Sequence, residues 1–205
     1  MIALLHTTHG LKDRFESIVK AVNESIAIKH FVYEDLLTYA LDKGETDSSS
    51  FEQYVEDIKK ENPQLIICTC SSYGEESDRL GDVLRIDRPI AEYLVSSYHK
   101  IGLVYTTTST KAISDRLLYD SAKKINKQIE VVACDCSEYW QAFSVGNIQA
   151  YHEGIAENIK EIQHDVEVFF LAQASMEGVR NYLPIDKELC SSPEYGMSTI
   201  LSNSL

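Results

Sequence analysis

The feature that most constrains the fold of this chain is a set of short segments that recurs after about 100 residues. LLHTT at residues 4–8 matches LVYTT at residues 103–107, an offset of 99 residues. IICTCSS at residues 66–72 matches FFLAQAS at an offset of 103, and RIDRP precedes LCSSP by 104. Three correspondences in the same order at nearly one offset predict two similar halves within the 205 residues.

Each half alternates short apolar runs with segments of helical period. The predicted strands cover residues 2–6, 26–32, 65–70, 83–87, 101–105, 129–134 and 166–172. Strands that alternate with helices favour parallel sheets with right-handed crossovers, so the predicted fold class is α/β. Open parallel sheets bind ligands beyond the carboxyl ends of their strands. We therefore expect the two halves to face each other, with one site in the cleft between them.

The boundaries follow from where the pattern restarts. We expect a first half over residues 1–98, a second half over residues 99–190, and a terminal helix over residues 191–205 that packs back on the first half. The long helical pattern over residues 137–163 is expected to break near Gly146. With four prolines and a 44% apolar share, the chain has the composition of a protein with a buried core.

Charge and hydropathy exclude several classes of function. The formal net charge of −13 leaves no broad basic surface, so nucleic acid is not an expected partner. The apolar runs are far shorter than the roughly 20 residues that span a bilayer, and the N-terminus fits neither a signal nor a transit peptide. We expect a soluble, cytoplasmic protein without a membrane partner. Its five cysteines are then expected to be reduced thiols.

The segment CTCSS places a thiol where a buried strand ends. Backbone N–H groups of the turn after Cys70 would favour its thiolate, which makes Cys70 the candidate base or nucleophile. Cys68 lies two residues earlier, so both side chains are expected on the same face of the strand. The alternative is that both are small, inert core residues, because free cysteine is commonly buried.

Metal and nucleotide sites have little support. Cys68, Cys70, Cys134 and Cys136 form two C-x-C pairs, which differ from the usual C-x2-C spacing of zinc ligands. The six histidines form neither H-x3-H nor H-E-x-x-H, and the chain contains no G-x-G-x-x-G and no G-x4-G-K-[ST]. We therefore predict no metal and no cofactor.

Short hydroxyl and amide side chains cluster at the predicted strand ends, in HTT, CSS, YTTTST and QAS. Together with backbone N–H groups at helix starts, they suit a small carboxylate ligand that is held without lysine or arginine. Ordinary helix capping by Thr and Ser is the alternative, and the two roles are compatible. His6 ends the first strand, where it would line the cleft or serve as a structural histidine.

Five segments in order resemble the aspartate/glutamate racemase superfamily, which includes aspartate, glutamate and hydantoin racemases, maleate isomerase and arylmalonate decarboxylase. They are CTCSSYG, RIDRPIAEYLV, GLVYTTTST, LAQASMEG and SSPEYGM. The resemblance covers essentially the whole chain. It implies two flavodoxin-like (Rossmann-like) three-layer halves with pseudo-twofold symmetry, a cofactor-independent active site between them, and a homodimer. The apolar helix over residues 91–98 is the local support for a dimer.

In the racemases of this superfamily, two cysteines act on opposite sides of the acidic carbon of the substrate. The first corresponds to Cys70, but Gln173 stands at the position of the second. By the same resemblance, Thr7, Thr8, Ser72, Thr106 and Thr107 are expected to contact the substrate carboxylate, with Ser175 and Met176 beside Gln173. His6 and Ser71, at the same strand ends, complete the predicted substrate contacts. Arg85 and Arg88 are further candidates for an anionic ligand, although Arg88 is equally expected to pair with Asp87 or with a subunit surface.

Glutamine exchanges no proton at neutral pH, so a symmetric two-thiol racemase is in doubt. In a first alternative, Cys70 acts with another group such as Cys190, His6 or a bound water, and Gln173 hydrogen-bonds the substrate. In a second, Cys70 carries out one-sided chemistry, which is one-base proton transfer, nucleophilic addition or decarboxylation. In a third, the protein only binds a small carboxylate and does not catalyse. The leading hypothesis is a racemase-like isomerase that acts next to a carboxylate of a small amino or dicarboxylic acid.

Overall fold

The computed structural model describes residues 1–204, which form two compact units. The first unit comprises residues 1–89 and the chain from Pro193 onward, and the second comprises Ile90–Ser192. No helix within residues 1–204 combines the length and the apolar character needed to cross a bilayer.

The first unit is built on a four-stranded parallel sheet. Its strands are β1 (Ile2–His6), β2 (Ile28–Val32), β3 (Leu65–Cys68) and β4 (Leu84–Arg85), in the order β2-β1-β3-β4. Its helices are α1 (Lys12–Val22), α2 (Glu34–Lys43), α3 (Ser48–Lys59) and α4 (Gly74–Leu80), with 3-10 turns at His9–Leu11 and Ser71–Tyr73. The predicted fourth strand is reduced to two residues.

Both faces of this sheet are covered. Ala3, Leu5 and Cys68 point into a core with Leu36 of α2 and Val55 of α3. Successive side chains of a strand point to opposite faces, so Ile2, Leu4 and His6 point to the other side, where the His6 ring meets Phe15 of α1. Burial on both faces explains why β1 and β3 are continuous apolar runs in the sequence.

The second unit repeats this architecture. Its strands are β5 (Lys100–Tyr105), β6 (Glu130–Asp135), β7 (Val168–Leu171) and β8 (Glu188–Ser191), parallel and in the order β6-β5-β7-β8. Its helices are α5 (Arg88–Ser97), α6 (Thr108–Lys124), α7 (Trp140–Ser144) and α8 (Ile148–Ile162), and 3-10 segments cover Ser137–Tyr139 and Ala174–Tyr182. The equal strand order confirms the two similar α/β halves predicted from the repeat.

Helices cover both faces of the second sheet as well. One core joins α5 and α6 to Leu103 and Phe170, and the other joins α8 to Val104 and Phe169. The apolar residues Ile90, Ala91, Leu94 and Val95 of α5 are therefore buried inside this unit. The predicted break in the long helix is confirmed at Gly146, which separates α7 from α8 with a positive φ of 79°.

The last helix, α9 (Ser192–Ser204), belongs to the first unit from Pro193 onward. Gly196 lies against the backbone carbonyl of Ile86, where an added Cβ would come within 2.0 Å of that oxygen. Met197 and Leu201 of the same helix are buried. This close approach of two backbones requires glycine at position 196.

Candidate active site

Cys70 lies in the first unit between strand β3 and the turn Ser71–Tyr73, with extended backbone (φ −100°, ψ 114°). Its side chain is half-buried and packs at the edge of the core that contains Cys68. Both cysteines lie on the same face of the strand, as the two-residue spacing predicts. Cys68 is fully buried, and burial raises the pKa of its thiol to about 12. Of the two thiols, only Cys70 has a surface that a ligand can reach.

Hydroxyl and amide groups surround the Cys70 thiol. Burial raises its pKa, and hydrogen bonds from the Thr7 side chain, from the Ser72 amide and hydroxyl, and from the Tyr73 amide act in the opposite direction. A thiolate would gain from each of these donors, because hydrogen bonding to the charged form favours that form. The net direction of the pKa is upward, so the thiol is the favoured form, and these donors limit how far burial raises the pKa of Cys70.

Parallel pairing brings Thr7 to Cys70. Leu5 pairs with Cys68 in the register of β1 and β3, and the Thr69 amide donates to the Leu5 carbonyl at 2.9 Å. Two residues farther along each strand lie Thr7 and Cys70, on the same face of the sheet. Thr7 is buried, and so are Ser71 and Ser72. The structure thus brings together four of the site residues predicted from the sequence.

Replacing Thr7 by valine is expected to slow the alkylation of Cys70 by iodoacetamide at pH 8, because one hydrogen bond to the thiolate is lost. A hydrogen bond to a charged group contributes about 1.5–3 kcal/mol, so the thiolate fraction, and with it the rate, should fall about 10-fold or more. Mass spectrometry of the Cys70 peptide measures the rate. Thr8→Val is the matched control, since the Thr8 hydroxyl accepts from the Gly10 amide and caps the next turn. Equal rates for the two variants would contradict the role of Thr7.

A buried ion pair of Arg85 packs against Gly74, the residue that follows the turn Ser71–Tyr73. The buried Arg85 guanidinium donates to both carboxylate oxygens of Asp87, at 2.7 and 2.9 Å, and to Asp78 at 2.8 Å. It lies against Gly74, where an added Cβ would be 2.3 Å from the guanidinium. Arg88 donates to Asp78 at 2.6 Å. The donors of Arg85 are thus engaged by carboxylates, so it acts as a structural residue and not as an anion contact.

His6 is placed apart from the Cys70 cluster. Its side chain points to the opposite face of the sheet and is 1% exposed. Its Nδ1 lies 2.8 Å from the Thr69 hydroxyl, and its Nε2 lies 2.9 Å from Nδ1 of His30. Both ring nitrogens are engaged within the protein, which leaves neither for a ligand. Burial, followed by the positive charges of neighbouring residues, lowers the pKa of His6 to about 3.

Gln173 occupies in the second unit the position that Cys70 occupies in the first. It follows β7 and precedes the 3-10 segment Ala174–Tyr182. The Gln173 carbonyl accepts from the Met176 amide at 3.0 Å, as the Cys70 carbonyl accepts from the Tyr73 amide at 3.1 Å. Thr106, the repeat equivalent of Thr7, donates to Gln173 Oε1 from both its amide and its hydroxyl, each at 2.8 Å.

Two residues that the sequence prediction missed complete this cluster. The buried Tyr151 of α8 has its hydroxyl 2.9 Å from Ser175 Oγ and 3.5 Å from Thr106 Oγ1. His152 Nε2 lies 2.9 Å from the Ser175 carbonyl oxygen, which fixes the start of the 3-10 segment. Tyr151 lies in the apolar stripe of α8, so the sequence pattern around it does not distinguish it from an ordinary core residue. Thr107 caps α6 by accepting from the Thr110 amide at 3.4 Å.

The other cysteines are core residues. Cys190 lies in the core with Leu103 and Phe170, and burial raises the pKa of its thiol to about 12. Cys134 and Cys136 are buried with their sulfurs 3.9 Å apart, and the neighbouring thiol together with burial raises the pKa of Cys136. Within residues 1–204, no three His, Cys, Asp or Glu side chains are placed to hold a metal ion.

These two units, with their strand order, have the fold of the amino-acid racemases. The chain is similar to a glutamate racemase from Francisella tularensis in complex with D-glutamate (TM-score 0.77, 12% identity, 98% of this chain and 80% of that one). It is also similar to a glutamate racemase isoform from Bacillus anthracis (TM-score 0.76, 14% identity, 99% and 82%). A third similar structure is the aspartate racemase of Picrophilus torridus (TM-score 0.74, 14% identity, 99% and 93%).

No protein-family model matches the chain, and no curated protein matches it in sequence. At 12–14% identity the structural likeness establishes the fold. The fold that the five sequence segments imply is therefore confirmed.

Proposed function

We propose that this protein is a cofactor-independent isomerase, which moves a proton at the carbon next to a carboxylate of a small amino or dicarboxylic acid. The observation that carries the proposal is the half-buried Cys70 thiol, which is hydrogen-bonded by Thr7 and Ser72 and by the amide of Tyr73. The racemase fold supports the same class of reaction, and one of the similar enzymes was solved with D-glutamate.

The proposed step is a proton transfer to sulfur. The Cys70 thiolate takes the proton from the carbon next to the carboxylate, and the electron pair of the broken C–H bond moves onto the carboxylate to give an enediolate. The thiol then returns a proton to the same carbon. Threonine, serine and backbone N–H donors suit the growing negative charge on the carboxylate oxygens, because their dipoles are held in place before the reaction.

The chemistry is proposed to be one-sided. Burial raises the pKa of Cys190 to about 12, and Cys190 belongs to an apolar core, so it is a poor second acid. The ring nitrogens of His6 are engaged by Thr69 and His30. Gln173 has no proton to exchange at neutral pH. A single thiol therefore removes and returns the proton on the same face of the carbon.

The test is proton exchange in heavy water. The protein is incubated with D- and L-aspartate, D- and L-glutamate and further small dicarboxylic acids, and the signal of the proton next to the carboxylate is followed by NMR. Exchange without inversion is expected, and it should be confined to one enantiomer of the substrate. If no acid exchanges and Cys70 is not alkylated faster than the other thiols, the proposal fails.

Gln173→Cys provides a gain-of-function prediction. The variant places a second thiol at the position that repeats Cys70, so a proton can be supplied by a group other than the one that removed it. We expect racemisation to appear with the acid that the unmodified protein only exchanges, and chiral chromatography measures it. Ala174→Cys, one residue farther along, is the control. Racemisation that is equal in both variants, or absent while exchange persists, would contradict the paired roles of positions 70 and 173.

A second candidate function is carboxylate binding without turnover, which the amide at position 173 favours because it leaves only one proton-transfer group. It predicts that an acid of the same panel binds with unchanged affinity to Cys70→Ala, and that no exchange occurs. Isothermal titration of both proteins with each acid distinguishes this function from the isomerase.

A further inference from the structure

The side-chain amide of Gln173 is held in one orientation by hydrogen bonds from Thr106. A side chain that had merely replaced a catalytic group would need no particular orientation. Instead, two donors of Thr106 converge on one atom of Gln173, both at 2.8 Å. Because a backbone N–H can only donate, the Gln173 atom that faces it is the carbonyl oxygen. The orientation of the amide is thereby fixed.

The hydroxyl groups behind Gln173 form a chain with a defined direction. The single hydroxyl proton of Thr106 goes to Gln173, so at the 3.5 Å contact between Thr106 and Tyr151 the tyrosine is the donor. The Tyr151 oxygen then accepts from Ser175 at 2.9 Å. Hydrogen bonds that run in one direction polarise each other, and this chain ends on the Gln173 carbonyl oxygen.

This arrangement leaves the other end of the amide free to act on a ligand. The side-chain hydrogen bonds of Gln173 to residues 1–204 all end on its oxygen, so both protons of its NH2 group remain for another acceptor. An amide whose oxygen accepts two hydrogen bonds is a stronger donor at nitrogen, since electron density is drawn toward the oxygen.

We infer that Gln173 is a fixed hydrogen-bond donor to an acceptor oxygen of the ligand, and that Tyr151 is a positioning residue that orients it through Thr106. The inference rests on the proposed function and deepens it. The ligand then carries a carbonyl or carboxylate oxygen that accepts a hydrogen bond from the Gln173 amide. Dicarboxylic acids and their amino derivatives have this chemistry.

The experiment compares Gln173→Glu and Tyr151→Phe with the unmodified protein, with the acid of the panel that exchanges as the probe. Gln173→Glu keeps the shape but replaces the donor by a carboxylate, so KM should rise about 100-fold, because like charges meet in the site. Tyr151→Phe removes one hydroxyl and should raise KM about 3- to 10-fold, with a smaller change in kcat. Tyr139→Phe is the control, because that hydroxyl contacts Asn158, at 3.4 Å.

A spectroscopic signature separates positioning from loss of stability. The NH2 resonance of Gln173, identified by its absence in Gln173→Glu, should shift in ¹⁵N-labelled Tyr151→Phe and stay unchanged in Tyr139→Phe. It should also shift when the acid is added to the unmodified protein. An unchanged resonance in Tyr151→Phe, or an unchanged KM in Gln173→Glu while Cys70→Ser abolishes exchange, would overturn the inference and leave the proposed function standing.

Binding measurements test the role of Gln173 even if the proposed reaction does not occur. If the protein exchanges no acid but binds one, the same variants are compared by their dissociation constants for that acid. Weaker binding in Gln173→Glu and Tyr151→Phe then supports the inference without the reaction. Equal binding in both variants, or no binding of any acid to the unmodified protein, overturns it.

Discussion

Cys70→Ser is expected to lower the rate of proton exchange at the carbon next to the carboxylate about 1000-fold. Serine keeps the shape of the side chain and its hydrogen bonds to Thr7 and Ser72. Its hydroxyl does not ionise near neutral pH, so it cannot take the proton, and a positioned acid or base typically contributes 10²- to 10⁴-fold. The rate is measured by NMR in heavy water with the acid that the unmodified protein exchanges. The structural change is small, so the thermal midpoint should hardly move.

Cys68→Ala is the matched control for this experiment. Cys68 lies two residues away on the same face of the strand, yet it is fully buried, and burial raises the pKa of its thiol to about 12. Its loss should lower stability by the cost of a small cavity and leave exchange per folded molecule unchanged. An active Cys70→Ser protein, or an inactive but folded Cys68→Ala protein, would remove Cys70 from the mechanism.

The architecture was predictable because the repeat and the burial of the strands leave direct marks on the sequence. A strand covered on both faces must be apolar throughout, which made β1, β3, β5 and β7 visible. The repeat makes Thr106 of the second half equivalent to Thr7 of the first, and Gln173 equivalent to Cys70. The hydrogen bonds from Thr106 to Gln173 correspond to the hydrogen bond from Thr7 to Cys70.

The length of β4 and the role of Tyr151 depend on contacts between residues that are distant in the sequence, so no local sequence pattern predicts them. The expected fourth strand, over residues 83–87, shrinks to Leu84–Arg85, where the buried guanidinium must reach both Asp87 and Asp78. Tyr151 looks like one more apolar position of its helix, and its partner Ser175 lies 24 residues away. Its role depends on a hydroxyl whose partners only the folded chain brings near.

The surroundings of His6 follow from the alternation of side chains along β1. The alternation of side chains along β1 sends Thr7 toward Cys70 and His6 toward α1, where it meets Phe15 and the stacked ring of His30. Thr69 donates its hydroxyl proton to the Leu5 carbonyl, so it must accept from Nδ1 of His6. Nε2 of His6 therefore carries no proton and accepts from Nδ1 of His30.

This arrangement makes the first unit sensitive to acid. Burial lowers the pKa of His6 to about 3 in the folded state, against the ordinary value of 6.5 in the unfolded chain. Below pH 6.5 His6 is protonated in the unfolded chain but remains neutral in the folded chain, so the free energy of unfolding falls as the pH falls. From this residue alone the loss is about 2 kcal/mol at pH 5 and about 4 kcal/mol at pH 3.

His6→Gln should therefore remove about 2 kcal/mol from the change in unfolding free energy between pH 7 and pH 5, even if the variant is less stable at pH 7. Urea unfolding followed by circular dichroism measures the change, and hydrogen exchange of β1 amides assigns it to the first unit. His9→Gln replaces an exposed histidine of the same unit and should retain the pH dependence of the unmodified protein. The physical reason is that a second proton on buried His6 would meet the Nδ1–H of His30, so the protonated form is disfavoured in the folded state. If His6→Gln keeps the full pH dependence, the buried pair does not control the response to acid.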